Sequence, residues 1–338
     1  MLKIIERRNR LFFWLAAIGG IVDFSAVVPL VQADQPSNVR KPTSDSEMAY
    51  WLRNMIWDHG FSDAEVRTAT GLSLPEITSV RNRFNIHPAT RPERSPDAGL
   101  RVMPYPGGRH PRIGFLDGAV NPQRETKVSI FLPWNPRSYV VADIPEAIWS
   151  NLGLTYLAHT HIDTVWTRQG IRLETLEWNR QPDGSLDLKR KLPNGIEFTA
   201  RIQPRKDHVR MEMELVNGSS GLLTDLRVQN CIMLKGAPEF AQQTNDNKLL
   251  RKPFVACHSP DRQRWIITAW SPCHRAWANP PCPCLHSDPR FPDCPPGEKR
   301  RLVGWLSFFE GKDIDAELER IAKRDWSAPL SPEAGSSR

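Results

Sequence analysis

The chain has 338 residues, 40% of them hydrophobic, and 45 Lys and Arg against 38 Asp and Glu give it a formal charge of +7. That length holds one large β domain or two ordinary domains, since single cores stop growing near about 250–300 residues. The positive charge is spread along the chain without a long block of like sign, which argues against a nucleic-acid arm, and 12 Trp with 30 Pro point to a loop-rich β protein.

Residues 1–33 have the layout of an export signal. Lys3, Arg7, Arg8 and Arg10 precede the apolar run LFFWLAAIGGIV, and VQA at 31–33 offers small residues for cleavage after Ala33. The run is short of the roughly 20 residues a spanning helix needs. An uncleaved anchor that extends to Val31 and tolerates Asp23 is the alternative. Either way the expected location is periplasmic or extracellular.

Residues 44–86 predict a small three-helix unit. Met48, Trp51, Leu52, Met55 and Ile56 follow the i, i+3, i+4, i+7, i+8 spacing of a one-sided helix, and Gly60 supplies a stop. Three capping boxes recur, at Ser44 with Glu47, Ser62 with Glu65 and Ser73 with Glu76, and Gly71 separates the last two helices. The unit is helix-turn-helix-like, and in a cytoplasmic protein Thr78, Arg81 and Asn82 would face a DNA groove. With export, a docking or stabilising subdomain is the better reading, and nucleic acid is not the expected partner.

Residues 87–126 are rich in Pro, Gly and Arg and lack periodicity, as in a linker or a strap lying over the next domain. From 127 to about 325 the chain reads as β. Strands are expected at about 185–191, 194–203 and 207–216, with Asp183-Gly184 and Asn194-Gly195 as hairpin turns. Ile196, Phe198, Ala200 and Ile202 share one face, as do Val209, Met211, Met213 and Leu215, with Arg210, Glu212 and Glu214 opposite. Further strands are expected at about 223–234, 253–257, 264–270 and 301–309. A final helix over roughly 313–323 carries Ile314, Leu318 and Ile321 on one stripe. The expected fold is mainly β, a large antiparallel β-sandwich preceded by the three-helix unit.

The Trp-rich run of strands, with a meander carrying LVNGSS and then LTDLRVQNC, resembles the galactose-mutarotase-like supersandwich of sugar epimerases and of the C-terminal parts of many polysaccharide lyases, over about residues 125–310. The resemblance implies a carbohydrate substrate and a histidine acid with a glutamate base, but no motif places those residues here. PCPCLHSDPRFPDC and GWLSFFEG resemble uncharacterised exported bacterial proteins, which implies no activity.

The stretch LAHTHIDTVW, 157–166, reads as a strand, so His159 and His161 should project from one face, with Asp163 further along it. Two imidazoles so spaced serve as ligands to a divalent metal, as an acid/base pair or sugar-binding groups, or as structural polar residues. Glu310 is a candidate carboxylate partner. Arg227 and Gln229 share a face of LRVQNCIML and are candidate substrate ligands, and Trp166, Trp270 and Trp277 are candidates for stacking on sugar rings. All six cysteines lie between 231 and 294. Within CHRAWANPPCPCLHSDPRFPDC, Cys273, Cys282, Cys284 and Cys294 with His286 and Asp288 allow either disulfides or a zinc site. Export favours disulfides stapling a loop too proline-rich for regular structure. Together these features lead to an exported carbohydrate-active protein, a lyase or epimerase if an enzyme. The competing readings are a non-catalytic glycan- or protein-binding envelope protein that docks a partner through its helices, and a DNA-binding regulator if the chain is not exported.

Overall fold

The period-2 alternation of the central meander is realised in the computed structural model, which describes residues 39–95, 98–114, 121, 123–159 and 161–326. The expected leader lies outside the described residues. In chain order the strands are β1 (Val102–Pro104), β2 (Lys127–Leu132), β3 (Asn135–Ser150), β4 (Gly153–Leu157), β5 (Asn179–Arg180), β6 (Leu186–Lys191), β7 (Glu197–Pro204), β8 (His208–Val216), β9 (Val228–Met233), β10 (Lys248–Arg251), β11 (Phe254–His258), β12 (Arg264–Ser271), β13 (Cys273–Ala278), β14 (Cys284–Pro289) and β15 (Lys299–Glu310).

Among the described residues these strands form two antiparallel sheets. One is ordered β1-β2-β3-β9-β14-β13, with β4 also on β3, and the other β10-β11-β12-β15-β8-β7-β6-β5. The meander registers Phe198 with Leu215 and Ile202 with Met211, and its apolar face packs against Val140, Ala142, Ile144, Val228 and Ile232 of the other sheet. Burying two such faces against each other is what a sandwich requires. The expected fold class is the one found.

Three local expectations are corrected. The strand carrying the histidines stops at Leu157, so His159 and His161 lie on the bend that follows β4. The cysteine- and proline-rich stretch forms the regular hairpin β13–β14: Pro280 and Pro281 fall in its turn, Pro283 just before β14 and Pro289 at its end, where a missing donor costs no ladder bond. The strap supplies an edge strand, since Val102–Pro104 pairs with β2.

The helical unit is α1 (Asp45–Arg53), continued by one wide turn Asn54–Asp58, then α2 (Asp63–Thr70) and α3 (Leu74–Phe84). Ser62–Glu65 and Ser73–Glu76 form complete capping boxes. At Ser44 the box is one-sided, because the Glu47 carboxylate accepts from Trp51 Nε1 at 3.0 Å and pairs with Arg180. On α3, Arg81 is held by Asp63 at 2.7 Å. None of the helices among the described residues is long and apolar enough to cross a membrane. The chain ends its described part with α4 (Ile314–Ala322), whose Ile314, Leu318 and Ile321 pack on the second sheet.

The helices join the strap and first sheet through buried polar contacts. Asn54 Nδ2 donates to the Pro104 carbonyl at 3.1 Å, and Asp58, 2% exposed, pairs with Arg101 at 2.8 Å. His59 Nδ1 lies 2.9 Å from the Asn54 carbonyl and so must donate, which leaves Nε2 to accept from the Ser129 hydroxyl at 2.7 Å. Phe61, Tyr105, Phe131 and Tyr139 surround the ring. Burial pushes the His59 pKa down to about 3 from 6.5. Below pH 6.5 the unfolded chain therefore takes up a proton that the folded chain refuses, and stability falls with pH by up to about 1.4 kcal/mol per unit. Between pH 6.5 and 4.5, urea unfolding is expected to show wild type losing about 2 kcal/mol more stability than His59→Gln. Equal losses would contradict the neutral, buried state of this ring.

Candidate functional site

The site starts from an irregularity in the ladder between β3 and β9. Asp143 pairs with Cys231 and Ala147 with Gln229, so four steps along β3 are matched by two along β9. Such a bulge turns side chains out of the ladder and is common beside active sites. Here it contains Glu146, which projects on the sheet face turned away from the sandwich core and is 1% exposed. An ionised carboxylate so buried needs compensation, and three groups from separate parts of the chain supply it. Arg112 of the strap binds Oε1, Gln229 Nε2 donates to Oε2 at 2.9 Å, and His159 Nε2 donates to Oε1 at 2.9 Å. Burial alone would raise the Glu146 pKa, but the Arg112 charge and the His159 hydrogen bond hold it well below the ordinary 4.5.

From the carboxylate the contacts lead outward. His159 is buried and His161 exposed, and their rings stack with centroids 4.6 Å apart and Nδ1 atoms 2.7 Å apart. An ionised Glu146 can only accept, so His159 carries its proton on Nε2. In the neutral pair His159 Nδ1 is then the acceptor and His161 Nδ1 the donor, which leaves His161 Nε2 as a basic nitrogen. Burial lowers the His161 pKa from 6.5, outweighing the opposite pull of Glu146. The chain thus runs from a buried anion through a buried imidazole to an exposed one.

A second cluster adjoins the first through the same arginine. Arg112 also lies 3.3 Å from Cys231 Sγ. Ligand atoms of Cys231, Cys284 and His286 all lie within 4.8 Å of one another, and the Cys282 thiol contacts that of Cys284. All four side chains are at most 1% exposed. Burial opposes the Cys231 thiolate, but the Cys284 hydrogen bond, Arg112 and His286 bring its pKa down to about 6. His286 is pushed up to about 10: burial opposes its charge, and Cys231 and Asp288 overcome that opposition. Cys231, Cys284 and His286 are the described residues most suited to holding a metal ion. His159 and His161 bring two nitrogens together but no third donor among the described residues.

No protein-family model and no curated protein sequence matches the chain. Solved structures do. An Escherichia coli K12 protein assigned as an aldose 1-epimerase is 12% identical, with 41% of this chain and 69% of that one aligned at a TM-score of 0.32. A protein from the human microbiome assigned as a kojibiose phosphorylase is 7% identical over 70% of this chain and 37% of that one, with a TM-score of 0.40. The heparan sulfate lyase of Pedobacter heparinus is 8% identical over 79% and 42%, with a TM-score of 0.34. The likeness is one of fold. No residue role is carried over from it.

The remaining sequence candidates fall elsewhere. Glu310 lies exposed at the end of β15 in the other sheet, paired with Arg264 at 3.3 Å, so the carboxylate beside the histidines is Glu146 instead. Arg227 turns to Asp225 at 3.0 Å, whereas Gln229 belongs to the site. Trp166 and Trp270 are sandwich core: the first donates to the Thr155 carbonyl, and the second lies against Gly304, where a Cβ would come within 2.6 Å of the indole. Trp277 stacks on His286 with ring centres 3.9 Å apart, and Arg275 lies over its ring, so it supports the thiol cluster. The six cysteines carry no disulfide in this structure. Cys273 lies beside Ser287, and Cys294 donates to the Glu298 carbonyl in the sandwich core; the thiol that joins Cys282 and Cys284 is Cys231.

Removing one partner of a buried ion pair strands the other, at a cost of about 3–5 kcal/mol. Urea unfolding is expected to show that order of loss for Arg112→Met and for Glu146→Gln, and a clearly smaller loss for the double variant than the sum of the two. Additive losses would contradict a direct pair.

Proposed function

We propose that this chain is an exported carbohydrate-active enzyme that abstracts a proton next to a carboxylate in a uronate-bearing poly- or oligosaccharide, with His161 as the acid/base group. The observation that carries the reading is the Glu146–His159–His161 chain, which ends in an exposed imidazole whose free nitrogen is set by two hydrogen bonds behind it. A general base must be neutral at its working pH and held in one orientation. The lowered His161 pKa meets the first condition and the contact with His159 the second.

In the proposed step His161 Nε2 takes the proton on the carbon next to the substrate carboxylate. The C–H electron pair then forms the double bond to the neighbouring carbon and expels the glycosidic oxygen, which takes a proton from water, and an unsaturated uronate is left. In the epimerase variant of the step, the carbanion is reprotonated on its other face. The imidazolium formed on His161 keeps its Nδ1–H on His159, whose Nε2–H bonds the ionised Glu146, so the buried carboxylate stabilises the charge that develops. His159 and Glu146 are positioning residues here, and the net charge of +7 favours an anionic glycan. The basic and apolar residues at the N-terminus support export, so the substrate would be met outside the cytoplasm.

The test is incubation of the purified full chain with polyuronates and glycosaminoglycans, followed by unsaturated-uronate absorbance and by solvent deuterium uptake beside the carboxylate. Turnover is expected, with kcat reduced about 10²–10⁴-fold in His161→Asn and unchanged in Glu310→Gln. The activity is expected to rise with pH through a midpoint below 6.5, because the base must lose its proton and its pKa is lowered. Glycan binding without turnover, or a His161→Asn protein as active as wild type, would overturn the enzyme reading.

A further inference from the structure

We propose that Cys231, Cys282, Cys284 and His286 form a closed tetrahedral site for a soft divalent cation of the zinc class. Three thiolates and one imidazole are a donor set that zinc takes in structural sites. Strand geometry accounts for their meeting. Cys284 registers with Met233 and Leu285 with Ile232, so the next step of the same ladder sets His286 across from Cys231. Residues 284 and 286 alternate onto one side of β14, and Cys282, on the bend just before that strand, brings its thiol to that of Cys284. Zinc–sulfur bonds of about 2.3 Å place two tetrahedral thiolates about 3.8 Å apart; the donor atoms of Cys231, Cys284 and His286, within 4.8 Å of one another, need only small shifts to close on an ion, and Cys282, whose thiol meets that of Cys284, moves in as the fourth donor.

The surroundings of His286 fit a metal ligand. Its Nδ1 lies 2.8 Å from the Asn230 carbonyl and must donate to it, so Nε2, the atom 3.2 Å from Cys284 Sγ, is the nitrogen that would give up its proton to bind an ion. An outward N–H on a backbone carbonyl is how metal-bound imidazoles are commonly fixed. Asp288, 3.7 Å from the same Nδ1, and the Trp277 ring stacked at 3.9 Å hold the imidazole further. Charge is also accounted for. Three thiolates and a divalent ion sum to −1, and the Arg112 guanidinium 3.3 Å from Cys231 Sγ supplies the opposite sign. With all four donors buried no ligand position opens to solvent, so the ion ties β9 to the β13–β14 hairpin and takes no part in hydrolytic chemistry. Because Arg112 bonds both Cys231 and Glu146, the ion also fixes the charge that holds the acid/base chain in place.

The test is elemental analysis of the purified full chain, with cobalt exchange as an independent readout. About one zinc per chain is expected, and the cobalt form is expected to show thiolate-to-cobalt charge transfer and tetrahedral d–d bands. Cys231→Ser, Cys284→Ser and His286→Asn are expected to lose most of the metal, while Cys273→Ser and Cys294→Ser retain it. Peptide mapping of the wild type is expected to recover Cys231, Cys282 and Cys284 as thiols. Metal-free wild type whose cobalt form lacks the thiolate band, a disulfide among those three cysteines, or full metal content in Cys231→Ser would each overturn the site. Because these readouts need no substrate, the site stands or falls independently of the proposed activity.

Discussion

The organisation of the first sheet depends on one buried anion. Glu146 is placed by a strand bulge on a face that the strap and helices cover, and a carboxylate taken out of water there would protonate or unfold its surroundings unless a cation came with it. Arg112 is that cation, and it comes from the strap. The pairing explains why a segment with no periodicity of its own is laid across the sheet. It also explains the exact roles of its neighbours, since Gln229 and His159 bind the oxygen lone pairs that Arg112 leaves available.

Strand β9 brings the two halves of the site together. Gln229 serves the carboxylate and Cys231, two residues on, serves the thiol cluster, so a single face of a short strand connects both groups. Arg112 spans the same interval from above. The helical unit acts one layer further out. Its contacts through Asn54, Asp58 and His59 hold the strap and its edge strand β1 against β2 and so set where Arg112 begins its approach. A three-helix fragment of this kind thus has a role in positioning, whatever else it binds.

Much of the sandwich could be read from the residues alone, because alternation in 194–216 and the turn pairs Asp183-Gly184 and Asn194-Gly195 determine register locally. The three helices were equally legible through their caps. The site was legible only in part. His159, His161 and Gln229 stood out as polar residues in strand-like surroundings, and Cys282, Cys284 and His286 as a dense donor set. Glu146 was hidden in YVVADIPEAIWS, though an acid in so apolar a run is itself a signal of a buried, compensated charge. Arg112 and the place of Cys231 depended on a long-range approach that no local pattern records. The misplaced partners, Glu310, Arg227, Trp166 and Trp270, share a cause: residue type was informative, but which sheet and which face each occupies is settled by tertiary packing. The β13–β14 hairpin is hidden in the sequence because its prolines cluster in the turn and at the strand ends, where they mask the alternation between them.

The central claim is that an ionised Glu146 dictates the proton positions of both histidines. Nitrogen-15 NMR of histidine-labelled protein near neutral pH tests it directly, since the two ring nitrogens report where each proton resides. His159 protonated on Nε2 and His161 protonated on Nδ1 is the result expected. A His161 that carries its proton on Nε2 with Nδ1 bare, unaffected by Glu146→Gln, would contradict the relay.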